Sequence, residues 1–160
     1  MPEQHDPESG WVAEAVRMAT GNVSSGGGPF GALVARDGEL VATGTNRVTI
    51  DHDPSAHAEI TAIRAACREL ESFSLRGCVL VASCEPCPMC LAAALWARLD
   101  GVYYAADRED AALAGFDDRA FHQLFNDPEA TWPTRVEQVD LSVRNEPFEA
   151  WRANPDRVEY

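Results

Sequence analysis

Residues 11–20, WVAEAVRMAT, place Val12, Ala15, Val16 and Ala19 at helical spacing, with Ser9 just ahead as a cap, which predicts an amphipathic first helix. The stretch 24–31, SSGGGPFG, breaks that period. Its glycines and proline predict a loop whose backbone turns or comes close to another group. GALVAR (31–36) and LVATGTN (40–46) are β-type runs joined by Asp37-Gly38, the dipeptide of a tight hairpin turn. Helical spacing returns over 57–70, HAEITAIRAACREL, with Ile60, Ile63, Ala66, Cys67 and Leu70 on one side. CVLVAS (78–83) is short and apolar, as a buried strand is, and leads through CEPCPMC into an apolar helical run, LAAALWAR (91–98). GVYYAA (101–106) reads as a further strand.

Strands alternating with helices predict a layered α/β architecture with a parallel portion, and the opening hairpin adds an antiparallel pair. The Pro-bearing stretch from Asp127 reads as late helices and turns of the same domain. At 160 residues the chain is one domain long, 1–160, and buries roughly two thirds of its unfolded surface without needing staples.

Charge narrows the function. Thirteen basic against twenty-six acidic residues leave a net charge of −13, which opposes a phosphate backbone and favours a small neutral or cationic substrate. No apolar run reaches membrane length, and the opening MPEQHDPESG lacks the order of a signal peptide, so a cytoplasmic protein without a membrane or nucleic-acid partner is expected. Of five cysteines, Cys84, Cys87 and Cys90 fall within seven positions. That clustering reads as metal binding or catalysis more than as a disulfide framework.

Cys87 and Cys90, three apart at the start of a helix, can turn both sulfurs to one face near the positive end of the helix dipole. With the His57 imidazole they form a set that suits zinc and leaves a fourth tetrahedral position open. Glu59 lies two residues beyond His57. The two can serve one site only if His57 sits at the very mouth of its helix, where a carboxylate can move protons for an activated water. A closed Cys3His site using Cys84 as well, with a purely structural zinc, is the alternative. The order H-x-E followed by P-C-x-x-C favours the open, deaminating site. Cys67 and Cys78 read as small core residues, and His52 and His122 receive no role. Phe30, Trp96 and Trp151 would by default be core.

HAE (57–59) and EPCPMC (85–90), together with GGPFGALV (27–34), DHDPSAHAE (51–59), AGFDD (114–118) and the ending PFEAW…Tyr160, resemble the cytidine deaminase-like superfamily of zinc-dependent deaminases, and within it the guanine-deaminating branch. The resemblance implies a three-layer α/β/α fold with a mixed five-stranded sheet and hydrolysis of guanine to xanthine and ammonia. It implies His57, Cys87 and Cys90 as zinc ligands and Glu59 as proton shuttle, joined by Asp118 as a second acid. Asn46 would bind the base, Phe30 and Trp96 would wall the pocket, and the Ala58 backbone would meet the ring. It further implies a homodimer in which the segment 146–160 is exchanged and carries Tyr160 to the neighbouring pocket. A deaminase of guanosine or of another amino-heterocycle fits the same motifs. A tRNA adenosine deaminase shares them too, but the acidic balance speaks against it. A non-catalytic zinc-stabilised binding module has no use for Glu59.

Overall fold

Asp37 and Gly38 both adopt positive φ, 53° and 78°, as the tight turn between two twisted strands requires. They join β1 (Gly31–Arg36) to β2 (Glu39–Thr45) in an antiparallel pair. The computed structural model describes residues 9–160. The opening residues read for a targeting signal therefore lie outside the described residues, and Ser9, expected as a cap, already falls within the first helix, α1 (Ser9–Ser24).

The remaining elements follow as α2 (Val48–Asp51), α3 (Ala58–Glu69), β3 (Cys78–Cys84), α4 (Pro88–Trp96), β4 (Gly101–Ala106), α5 (Arg108–Leu113), α6 (Arg119–Asn126) and α7 (Glu146–Ala153). The sheet order is β2-β1-β3-β4. β3 runs antiparallel to β1 and parallel to β4, so the sheet is mixed.

β1 up to Ala35 and β3 are buried along almost their whole length, with apolar residues at nearly every position, because both of their faces are covered. Ala32, Val34, Leu80 and Ala82 point to one layer, where Ala58, Ala62, Ile63 and Ala66 of α3 and Ala94 of α4 meet them. Leu33, Ala35 and Val81 point to the other, against Trp11, Val12 and Ala15 of α1. The result is three layers, helix on sheet on helix. The buried face of α1 runs through Ala15, Ala19 and Asn22, so Val16, placed on that face by the sequence pattern, is exposed instead. Gly44 explains how closely β2 lies on α3: a Cβ there would run into the Ala58 carbonyl and the Ala62 amide.

Among the described residues the sheet has four strands, and the fifth of the sequence expectation does not form. β4 is an edge strand with Tyr103 and Tyr104 exposed, and the stretch between α6 and α7 stays exposed and irregular, with Val136, Val139 and Leu141 in solvent. Among the described residues no helix is long and apolar enough to cross a membrane.

Candidate metal centre and cavity

Two helix N-termini converge on one point. His57 is the N-cap of α3 with extended backbone (φ −66°, ψ 156°), and Cys87 is the N-cap of α4 with nearly the same geometry (φ −68°, ψ 168°). Pro88 at the first position of α4 has no amide hydrogen to lose there and its ring angle suits the first turn. Cys90 follows one turn on. The extended backbone at His57 lets its ring and the Glu59 side chain reach the same place, which two residues i and i+2 inside a helix could not do.

His57 Nδ1 lies 3.5 Å from Cys87 Sγ and 3.5 Å from Cys90 Sγ, and the three ligand atoms all fall within 4.8 Å of one another. Two thiol sulfurs and an imidazole nitrogen in that spacing are a donor set suited to zinc, with three protein ligands and room for a fourth from solution. Hydrogen bonding from the Cys90 thiol, with help from His57, holds the Cys87 thiol down to about 4 against the cost of burial. Cys90 is pushed up because it is the partner that keeps the shared proton, and a bound cation would displace it. Cys84 lies outside this group. Its thiol donates to the Asp107 carbonyl at 3.8 Å, and burial pushes it up to about 11, so it is a neutral thiol in the wall.

Glu59 is 7% exposed and accepts from Cys90 Sγ at 3.5 Å. Burial raises its carboxyl above the ordinary carboxylate range, while the His57 ring beside it acts in the other direction. His57, Cys87 and Glu59 line a cavity of about 1310 Å³, and Cys90 lies fully buried behind them. Asn46 and Phe30 line it, as expected. Asn46, at the end of β2, accepts from the Val48 amide through Oδ1, and its carbonyl is held by Asn22 Nδ2 at 2.9 Å. The same Asn22 amide donates to the Gly28 carbonyl at 2.8 Å, which draws the glycine loop over Asn46. A Cβ on Gly27 would strike that amide and the Asn46 carbonyl, so the loop needs glycine for close approach.

The zinc-binding-region profile of cytidine and deoxycytidylate deaminases matches residues 6–106. The chain belongs to that deaminase family. The guanine deaminase of Bacillus subtilis (strain 168) is 46% identical over 151 residues, covering 94% of this chain and 97% of its own. An X-ray structure of the Bacillus subtilis guanine deaminase superposes with a TM-score of 0.89 at 47% identity, over 93% of this chain and 96% of that one. The tRNA-specific adenosine deaminase of Aquifex aeolicus (strain VF5) is 39% identical over 92 residues, 58% of this chain and 61% of its own.

In this deaminase the other expected site residues divide. Asp118 lines the cavity from the N-cap of α6 without spending its side chain on the cap, whereas Asp117 is taken up by Arg119 (2.8 Å) and held down to about 2. Ala58, at the first position of α3, is fully buried in the core and does not line the cavity, which His57 and Glu59 on either side of it do. Trp96 and Tyr160 do not line the cavity of their own chain. Neither is a core residue: Trp96 is 64% exposed and Tyr160 77%, and their rings lie 6.2 Å apart near Phe73 and Trp151.

Two features of the deaminase site went unread in the sequence. Phe116 packs edge-on against Phe30 with centroids 5.0 Å apart, and its place inside AGFDD was the available signal. Glu85 accepts from the Arg108 amide at 2.9 Å and from its guanidinium at 2.7 Å, tying the loop that leads to Cys87 to the start of α5. Nothing in the spacing of residues 85 and 108 announces that pair.

Proposed function

We propose that this deaminase converts guanine to xanthine and ammonia, with His57, Cys87 and Cys90 holding a zinc ion and Glu59 moving the protons. The observation that carries the reading is the convergence of the His57, Cys87 and Cys90 donor atoms beside the buried Glu59 carboxyl, at a cavity that His57, Cys87 and Glu59 line. The near full-length likeness to a guanine deaminase supports guanine as the ring. A zinc ion held by His57, Cys87 and Cys90 would supply Lewis-acid activation of the attacking water. Glu59 would carry two protons in turn, the first from the attacking water to a ring nitrogen and the second from the newly added hydroxyl to the leaving amine, which departs as ammonia, a role that its raised carboxyl range suits. Asn46 orients the base, the Ala58 amide donates to it, Phe30 covers one face, and Asp118 meets the exocyclic amine.

We further read the enzyme as a cytoplasmic homodimer that exchanges its C-terminal segment, 146–160, within a single domain of 1–160. Five free cysteines suit a reducing compartment. A cavity of about 1310 Å³ exceeds the roughly 300–1,000 Å³ of ordinary small-molecule pockets and leaves room for a neighbour's residues. The exposed tail, the open edge of β4 and the outward Trp96–Tyr160 cluster supply candidates: Val136, Val139 and Leu141 for a fifth strand, and the two aromatic rings for the wall of the partner pocket.

A deaminase acting on tRNA shares the metal ligands, but a net charge of −13 disfavours a polyanion. Ammonia release from guanine, guanosine, adenine, 2-aminopurine derivatives and a tRNA transcript by the zinc-loaded protein tests the reading. Turnover greatest on guanine supports it, and turnover confined to tRNA or absent throughout overturns it.

A further inference from the structure

His122 is 5% exposed on α6, and its Nε2 is fully buried without a hydrogen bond. A nitrogen buried in that way costs free energy unless a partner lies within reach. Among the described residues the carboxylate oxygen within ion-pair distance is Asp118 Oδ2, one turn earlier on the same helix, at 3.3 Å. The two atoms are close enough to bond but off the line that a hydrogen bond needs, a looseness that catalytic pairs commonly show before substrate tightens them.

Asp118 has no other side-chain partner among the described residues. It leaves the helix cap unmade, and the neighbouring guanidinium groups are committed elsewhere, Arg119 to Asp117 at 2.8 Å and to Glu109 at 2.7 Å, and Arg108 to Glu85 at 2.7 Å. A short carboxylate at a helix mouth would otherwise swing between orientations. We propose that His122 is a positioning residue for Asp118: its Nε2–H binds Oδ2 and so presents Oδ1 to the cavity. The proposal rests on the reading of Asp118 as the group that meets the exocyclic amine. Both the Nε2–H neutral ring and the imidazolium carry the required donor, so the arrangement does not depend on the charge of the ring. Side chains that act on substrate need such support to hold one rotamer, and α6 supplies it from its own next turn.

The test compares His122→Leu, which fills space without a donor, with His122→Gln, whose amide nitrogen reaches toward the place of Nε2. His122→Leu is expected to lower kcat on guanine about 10- to 100-fold with zinc content and KM little changed, in the range typical for supporting partners. His122→Gln is expected to recover most of that loss. In an Asp118→Asn background His122→Leu should add less than about 2-fold, since the carboxylate it serves is gone. Equal losses in the two backgrounds, or a Gln variant as impaired as Leu, would overturn the proposal and leave the ring as packing. If the native enzyme is silent on guanine, the functional reading fails by itself. The pair is then judged by the Nε2 resonance of His122 in 15N-labelled protein, which moves in Asp118→Ala if the contact exists and stays if it does not. That measurement also serves should His122→Leu fail to fold.

Discussion

Burial raises the Glu59 carboxyl and the neighbouring His57 ring offsets part of that rise, so the group is placed to take up a proton and give it back. Replacing it by glutamine keeps the shape and removes the proton carrier. Glu59→Gln should therefore retain zinc and melting temperature while turnover falls about 10²- to 10⁴-fold, as steady-state ammonia release beside metal analysis would show. The cysteines separate by the same logic. Cys87→Ala and Cys90→Ala should each lose zinc, because His57, Cys87 and Cys90 are the only described trio of donors in range, whereas Cys84→Ala should keep about one equivalent. Loss of zinc from Cys84→Ala would bring back the closed structural site. At this scale the grouping of His57, Cys87 and Cys90 was legible, because H-x-E and P-C-x-x-C are contiguous patterns whose donor atoms need only two helix mouths to meet. The Asp118–His122 contact was not, since an isolated histidine at i+4 from an acid looks like any surface pair until its burial is known.

Two helix mouths hold the site, and α3 is held against the sheet by β1 and β3 in the core and, most closely, by β2. Gly44 allows that contact: the strand backbone lies against the Ala58 carbonyl and the Ala62 amide, so a methyl at residue 44 must push the helix away. Gly44→Ala is expected to cost about 1–3 kcal/mol of stability by overpacking. Because Ala58 stands between His57 and Glu59, the displacement should also weaken zinc retention, which a chelator competition at fixed temperature would measure beside the melting curve. A variant as stable and as zinc-retentive as the native chain would show that β2 and α3 separate at little cost. Elements of this kind were largely readable in the sequence. The Asp37-Gly38 turn, the doubly covered β1 and β3, and the apolar spacing of α3 all follow local patterns with a direct physical meaning. Val16 was misplaced because α1 turns its Ala15, Ala19 and Asn22 stripe to the sheet, and periodicity alone does not choose between two adjacent stripes that both carry apolar residues.

At the scale of the whole molecule, local pattern says least about the final third. From Asp127 onward almost every residue is exposed, although the stretch carries Trp132, Phe148, Trp151 and Tyr160, side chains that usually dominate cores and interfaces. Tyr160 lies with Trp96, Trp151 and Phe73 on the outside of its own chain, away from the cavity. An exchanged dimer would reconcile these facts, because exchange buries in a neighbour what one chain leaves in solvent. Deleting Arg157 to Tyr160 should then reduce guanine turnover strongly while zinc stays bound and the dimer persists on the remaining Phe148 and Trp151 contacts. The sharper measurement mixes that truncated chain, which keeps Glu59, with a full-length Glu59→Gln chain, which keeps the tail. Each is impaired alone. After unfolding and refolding together, a mixed dimer would have one pocket with a native Glu59 and an intact tail supplied from across the boundary, and activity should return toward that of one native site per dimer. No recovery, with mixed dimers demonstrated by mass, would place the tail's action within its own chain, and full activity of the truncated protein alone would remove Tyr160 from the site.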